Sequence, residues 1–279
     1  MSILACLTFD VDAESPILAE GARHALNAGV MSHQAYGPNR GGPRILALLR
    51  EYSLPGTFFV PGLTVDRWPG IVEAILADGH EIGHHSYAHF SPISQTEEEE
   101  RADFERALET LRRAGADPRG FRCPSWEPAW RTPRIVAEHG FDYDSSLMDD
   151  DRPYLLDTGA GEIVELPVHW SLDDWEQYAY LPDPPFRGPI ESPQKVLDLW
   201  LSELDAMRRH GGIFILTCHP FLSGRPSRVE TLRAVIEHAL AAGDVEFVSC
   251  GEAARRARAD DGLQRRILEP VVLEPGLYR

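Results

Sequence analysis

The chain has 279 residues, a length that fits one large α/β domain and leaves two domains open. Hydrophobic residues make up 43% of the sequence, which is enough for a sizeable core. The formal net charge of −17 argues against a nucleic-acid partner, whose phosphates this charge would repel, and against simple adsorption on anionic membranes or wall polymers.

The cysteines and the first residues of the chain indicate the cellular compartment of the protein. The four cysteines are scattered without CxxC spacing, which is typical of free thiols in a reducing environment. The first residues lack a basic segment, and their apolar run leads directly into Asp10, so they predict a core strand and not a signal peptide. No run reaches the roughly 18 apolar residues of a membrane span. We therefore predict a cytoplasmic protein without a membrane partner.

Short apolar runs alternate along the chain with segments of helical spacing. In chain order, the patterns predict a strand over 3–11, a helix over 43–52, a strand over 56–62, a helix over 70–77, a short run at 80–83, a helix over 96–113, a strand over 120–124, a helix over 132–139, strands over 141–147 and 163–170, a helix over 192–210, a strand over 213–218, a helix over 227–242, a strand over 245–249 and a helix over 251–260.

About eight strands that each feed a helix predict a parallel sheet, open or closed, and the regular crossovers favour a (β/α) barrel. We expect one domain over residues 1–260, followed by a tail, 261–279, that packs on the barrel or on a neighbouring subunit. Residues 13–42, 148–162 and 171–191 are predicted to be irregular, and loops of this length are usually lids or binding loops.

Acids and histidines stand where the predicted strands end. Asp10 and Asp12 end the first apolar run, His85 and His89 follow residues 80–83, and His219 follows residues 213–218. In a parallel α/β fold these positions converge on one mouth. One carboxylate and two imidazoles can hold a divalent metal and leave a position open for water. One carboxylate and one histidine then remain to act as a base and an acid.

Each of these residues has a plainer interpretation. Either aspartate alone could cap a turn, and His219 could cap a loop. Strand alternation places Asp10 and Asp12 on one side, however, where their charges would repel each other without a cation. His85 and His89 are four residues apart and share a face if their segment is helical, although this spacing alone is weak evidence for a metal. The prediction of a metal site therefore depends on the acids and histidines occurring together at predicted strand ends.

Two further clusters follow predicted strands. Arg122 to Trp126 contains an arginine that could fix a catalytic carboxylate and a tryptophan that could form a substrate wall. The alternative is an ordinary ion pair and a core tryptophan. Leu172 to Trp175 is a second cluster, which lies in an irregular stretch.

Four ordered motifs resemble the polysaccharide deacetylase family, also called the NodB-homology group or carbohydrate esterase family 4. They cover Thr8 to Glu14, His85 to His89, Arg122 to Trp126 and Leu216 to His219, and the resemblance spans about residues 3–250. Typical members have two adjacent acids followed by glycine, whereas here Val11 separates the acids. The chain resembles the intracellular branch that includes Helicobacter-type peptidoglycan deacetylase, allantoinase-like proteins and cyclic imide hydrolases.

The resemblance implies a distorted, TIM-like (β/α) barrel with a metal-dependent site that hydrolyses amides. It implies that the metal, zinc or else cobalt, nickel or manganese, is held by Asp12, His85 and His89. It implies further that Asp10 is the general base, Arg122 holds Asp10, and His219 is the general acid.

The expected activity is hydrolysis of a carbon–nitrogen bond other than a peptide bond, first as deacetylation of an N-acetylated sugar or small amide. Opening of a cyclic imide or ureide is the alternative, and a non-catalytic binding protein on the same barrel is a third. We expect substrate contacts from Trp126, Asp174, Trp175 and Tyr36, with residues 13–42 folded over the metal as a lid. A homo-oligomer is left open.

Overall fold

A ten-stranded sheet occupies the centre of the protein. The computed structural model describes residues 2–274 and residue 276. The strands are β1 (Ile3–Asp10), β2 (Thr57–Val60), β3 (Glu81–His84), β4 (Gly120–Phe121), β5 (Tyr143–Asp144), β6 (Tyr154–Asp157), β7 (Glu162–Glu165), β8 (Tyr180–Pro182), β9 (Pro185–Arg187), β10 (Phe214–Cys218), β11 (Val245–Phe247) and β12 (Arg265–Ile267).

The strand order in this sheet is β10-β1-β2-β3-β4-β5-β7-β6-β12, with β11 also paired to β1. Neighbouring strands are parallel except β6 and β7, which are antiparallel. Strands β2 and β11 share one edge of β1, because β11 pairs with Ile3 to Ala5 and β2 pairs with Thr8 to Asp10. Parallel strands joined by helical crossovers confirm the predicted (β/α) barrel class, and the inserted antiparallel strand is one of its distortions.

Helices connect most of the parallel strands. They are α1 (Ser15–Ala19), α2 (Ala28–Tyr36), α3 (Gly42–Tyr52), α4 (Gly62–Arg67), α5 (Gly70–Ala77), α6 (Glu97–Arg113), α7 (Thr132–Glu138), α8 (Asp174–Tyr178), α9 (Pro193–His210), α10 (Pro220–Ser223), α11 (Pro226–Ala242) and α12 (Cys250–Arg258). The predicted start of α6 is clear in the sequence, because Thr96 and Glu99 form a reciprocal capping box and four glutamates follow in the first turn.

The three segments predicted to be irregular contain regular structure. Residues 13–42 form α1, α2, a 3₁₀ turn over Ala22–Leu26 and a π-helical turn over Gly37–Gly41. Residues 148–162 contain β6, and residues 171–191 contain α8 and the β8–β9 hairpin. These predictions were wrong because helices of five residues and strands of three or four are too short for a periodic apolar pattern, and α2, with nine residues, buries only Val30 and Gln34.

The part of the tail that the structure describes contains β12, which pairs in parallel with β6. The division at residue 260 stays a prediction. The four cysteines are buried and free. Among the described residues, no helix is both long and apolar enough to cross a membrane.

Candidate active site

The carboxyl ends of four strands bring the predicted acids and histidines together. Asp10 ends β1 and Asp12 follows it; His85 follows β3, Arg122 follows β4 and His219 follows β10. Because these strands lie close together in the sheet and run in parallel, their carboxyl ends open on one side of the barrel. The cavity there has a volume of about 850 Å³, within the range of small-molecule sites.

Asp12, His85 and His89 form a compact buried group of possible metal ligands. One ligand atom from each lies within 4.8 Å of the other two. Nε2 of His85 is 3.4 Å from Oδ1 of Asp12, and Nε2 of His89 is 3.5 Å from Oδ2 of Asp12. Two imidazole nitrogens and one carboxylate oxygen are a donor set suited to a first-row divalent ion with further positions open.

The chemistry of these atoms fits a cation. Nδ1 of His85 lies 2.7 Å from the carbonyl oxygen of Arg122, so Nδ1 carries a proton, and in the neutral imidazole the lone pair of Nε2 faces Asp12. Oδ1 of Asp12 is buried and, among the described residues, accepts no hydrogen bond. A lone pair that faces a buried carboxylate oxygen is unfavourable unless a positive ion lies between them.

The charge states agree with this fit. Burial would raise the pKa of Asp12, but His89 and His85 hold it well below its usual range. Burial lowers the pKa of His89 to about 4, so this imidazole is neutral, as a ligand must be. For His85, burial lowers the pKa, but the carboxylates of Asp10 and Asp12 raise it more, which shows an excess of negative charge that a cation would balance.

The two histidines do not share a helical face. They lie in a turn after β3, where Ser86 and His89 adopt left-handed φ angles of 57° and 61°. The amide of His89 donates to the hydroxyl of Ser86 over 3.0 Å, which holds the turn. His84 points the other way: its Nε2 bonds to the carbonyl oxygen of Phe104, and burial lowers its pKa to about 3.

Arg122 lies behind Asp10 and is fully buried. Its Nη1 donates to Oδ1 of Asp10 over 2.8 Å and to the hydroxyl of Thr8 over 2.9 Å. Nε and Nη2 donate to the carbonyl oxygen and hydroxyl of Ser145 over 3.2 and 3.1 Å, and the guanidinium centre is 4.2 Å from the Phe59 ring. With these contacts Arg122 can fix one oxygen of Asp10 and leave the other toward the cavity.

Asp174 lies behind His219 and is absent from the described lining of the cavity, and its expected role as a substrate contact stays a prediction. Its carboxylate is fully buried, accepts from Nδ1 of His219 over 2.7 Å, and accepts from the amides of His219 and Ser223 over 2.9 and 3.1 Å. Burial would lower the pKa of His219, but Asp173 and Asp174 raise it well above its usual value. These hydrogen bonds explain why the three residues cluster, so no second metal is needed.

The cavity walls include two of the predicted aromatic residues, Trp126 and Trp175. Tyr36, also predicted to contact substrate, lies outside the described lining; its hydroxyl accepts from Nη1 of Arg44 over 2.7 Å, and its ring packs under Arg225. Of the predicted lid, the first part, residues 16–20, lines the cavity, whereas His33 packs on Phe221. The lid prediction therefore applies only to α1 and its end.

Two backbone details of the site stand out. The amide of Ser145 is not free to hold an oxyanion, because it donates to the carbonyl oxygen of Phe121 and to Oδ1 of Asp144. Ala13, which stands where typical relatives have glycine, has a left-handed φ of 48°. Strained backbone of this kind is concentrated at functional sites.

A buried acid–arginine pair, an acid–histidine pair and a metal-capable triad, all on one side of a (β/α) barrel, define a hydrolase site. Comparison with known proteins identifies the family. A sequence profile described as polysaccharide deacetylase matches residues 35–143. The chain is 30% identical over 250 residues to the peptidoglycan deacetylase of Helicobacter pylori, covering 80% of this chain and 84% of the relative.

Solved structures agree. A Mycobacterium smegmatis protein assigned to the polysaccharide deacetylases has 48% identity and a TM-score of 0.93, with 97% of this chain and 96% of that chain covered. PuuE allantoinase shares the fold, with a TM-score of 0.81 and 23% identity over 93% of this chain and 91% of its own. The chain belongs to the polysaccharide deacetylase family. This confirms the predicted family, fold class and enzyme class, a hydrolase of carbon–nitrogen bonds other than peptide bonds.

Proposed function

We propose that the protein is a metal-dependent N-deacetylase that acts on a small N-acetylated sugar or amide. The observation that carries the proposal is the convergence, in one cavity, of the Asp12–His85–His89 triad with the carboxylate of Asp10 and the imidazole of His219. Asp12, His85 and His89 would hold the ion, and a nitrogen-rich donor set favours zinc over harder ions.

The chain's own residues supply the proton transfers. When bound, the ion supplies Lewis-acid chemistry that lowers the pKa of water and polarises an amide carbonyl. Asp10, held by Arg122, accepts a proton from the attacking water as this water adds to the carbonyl carbon. His219, kept protonated by Asp174 at Nδ1, donates from Nε2 to the leaving nitrogen as the carbon–nitrogen bond breaks. The products are acetate and an amine.

The size of the cavity supports a small substrate. A volume of about 850 Å³ fits a molecule of one or two sugar rings. Helix α1 and the β8–β9 hairpin both contribute lining residues, and walls from these two segments favour a pocket over an open groove. We keep cytoplasmic location as a proposal, together with the small substrate that it would suit.

The test is metal-dependent turnover on a matched set of substrates. Protein stripped with a chelator and reloaded with zinc should release acetate from N-acetylglucosamine or short chitooligosaccharides, and should do little on succinimide or hydantoin. The opposite preference would make the protein a cyclic imide or ureide hydrolase. Turnover on neither set and on no small acetamide, with the ion bound, would refute the proposal.

Variants test the site itself. His85→Ala should lose both bound metal and activity, because it removes one of three protein ligands. His238→Ala removes a histidine that pairs with Asp205 on the surface, and it should change neither. Retention of about one ion per chain by His85→Ala would contradict the ligand assignment.

A further inference from the structure

The part of the cavity beyond the reacting groups is acidic and aromatic. Among the described residues that line it, none is lysine or arginine. Three glutamates, Glu20, Glu127 and Glu176, contribute to the lining, and they come from three separate segments of the chain. Three separate parts of the cavity wall therefore each contribute one acidic residue.

These three carboxylates differ from the acids of the reacting centre because they lack a countercharge. Asp10 has Arg122, and Asp174 has His219. Within residues 2–274 the structure shows no ion pair for Glu20, Glu127 or Glu176. Oε2 of Glu176 is buried and accepts no hydrogen bond from the described residues.

The environment of Glu176 indicates that its carboxylate lacks a cationic partner. Burial raises the pKa of its carboxyl group, which marks a charged form that is poorly stabilised. A ligand cation in the cavity that Glu176 lines would stabilise that form. An anionic ligand would be repelled by this carboxylate, which no cationic group of the described residues neutralises.

Aromatic rings line the same cavity as the three glutamates. Trp126, Trp170, Trp175 and Phe186 line the same cavity. Trp175 packs edge-on against His219, with ring centroids 5.3 Å apart, so the aromatic surface begins at the reacting group and continues outward. Indole faces attract alkylammonium groups, and an alkyl chain gains from the apolar ring surface.

We propose that the preferred substrate is an N-acylated amine that carries a second, positively charged amino group a few bonds from the amide. This inference rests on the proposed N-deacetylase function and names the substrate class of the same site. The amide lies at Asp10 and His219, and the ammonium group lies among the three glutamates and the tryptophan faces. An anionic group at the same end of the substrate is rejected.

Three acetamides with the same four-carbon chain test the inference. N-acetyl-1,4-diaminobutane is a cation, N-butylacetamide is neutral, and N-acetyl-4-aminobutyrate has three methylenes and an anionic carboxylate. We expect kcat/KM to fall about tenfold or more at each step from cation to neutral to anion, a ratio that corresponds to about 1.4 kcal/mol per step. Because two of the glutamates are exposed, higher salt should reduce these ratios.

Charge-neutral variants assign the effect to the cavity. Glu20→Gln, Glu127→Gln and Glu176→Gln, singly and together, should lower the ratio of cation to neutral turnover. Glu109→Gln makes the same change on the exposed side of α6, and it should leave the ratio unchanged. Equal turnover of the three amides, a preference for the anion, or a ratio that the triple variant does not alter would overturn the inference.

The result separates the two proposals. If N-butylacetamide and N-acetylglucosamine are hydrolysed without a preference for the cation, only the inference fails. If no amide is hydrolysed, the proposed function fails, and calorimetry decides the inference alone. It should then show tighter binding of 1,4-diaminobutane than of 1-aminobutane or 4-aminobutyrate to the metal-loaded protein, and equal binding would overturn it.

Discussion

Asp174→Asn is the substitution that most directly tests the acid half of the mechanism. The carboxylate of Asp174 accepts hydrogen bonds from Nδ1 of His219, from the amides of His219 and Ser223, and from the hydroxyl of Ser223. Asparagine can keep the first two with its oxygen. Its amino group then faces the amide of Ser223, so two donors oppose each other.

The size of the effect follows from these contacts. A hydrogen bond between charged groups contributes about 1.5–3 kcal/mol, and about 1.4 kcal/mol corresponds to one pKa unit. The pKa of His219 should therefore fall by about 1–2 units when Asp174 becomes neutral. His219 acts as a proton donor, and its raised pKa favours the protonated donor form. A lower pKa means that the donor form is lost at lower pH.

The assay is the pH dependence of kcat/KM for the zinc-loaded protein on its best amide. The alkaline limb should move to lower pH by about 1–2 units, with activity below this limb reduced less than activity above it. Stability to urea should fall by about 1–3 kcal/mol, because Ser223 loses its acceptor. Bound metal should stay unchanged, since Asp174 is not among the proposed ligands.

Asp173→Asn is the matched control. Oδ1 of Asp173 lies 3.6 Å from Nδ1 of His219, and it accepts its hydrogen bond from the amide of Trp175 instead. Its effect on the alkaline limb should be smaller than that of Asp174→Asn. An alkaline limb that Asp173→Asn moves and Asp174→Asn leaves in place would refute this account of the acid.

Two further predictions concern groups behind the site. Arg122→Leu should reduce kcat by about 10²–10⁴-fold and destabilise the fold by about 3–5 kcal/mol, because Asp10 would remain buried without its partner. Steady-state kinetics and urea unfolding measure the two effects. A near-normal kcat would contradict the prediction. Glu165 is fully buried beside Asp144 on the neighbouring strand, and burial raises the pKa of Glu165 well above its usual value and that of Asp144 to about 7. The folded state thus holds more protons than the unfolded state, and stability should fall as pH rises from about 4.5 toward 8. Glu165→Gln should flatten this decline in urea unfolding, and an unchanged slope would show that the pair does not titrate as proposed.

The sequence predicted which acids and histidines lie close together, because each one ends or follows a strand. An apolar strand followed by an acid or a histidine is visible locally, as with Asp10 after β1 and His219 after β10. The barrel then brings such positions together whatever the loops between them do. The first turn of α6 was equally readable, because Thr96 and Glu99 are a local signal.

The errors lie where structure depends on distant contacts. Nothing in the sequence of two adjacent acids shows which one faces a histidine, so the contact between Asp174 and His219 was not predicted. The spacing of His85 and His89 would place both rings on one face of a helix, whereas two left-handed residues form a turn. Tyr36 lies in α2, where its hydroxyl contacts the carbonyl oxygen of Gly224 and the nearby His33 packs on Phe221. Both partners are far along the chain, so the local sequence does not show where Tyr36 lies.

The division between strand ends and inserted segments explains how one barrel can serve different amides. Asp10, Arg122 and His219 lie on or beside strands of the central sheet, and their partners are buried. The glutamates and most of the aromatic walls come instead from segments between the strands of the central sheet: the end of α1, the segment after β4, α8 and the β8–β9 hairpin. Changes in these segments can alter the charge and shape of the cavity without moving the proton donor or acceptor. Substrate preference should therefore follow the residues of the cavity wall, whereas the reaction type should follow the strand ends.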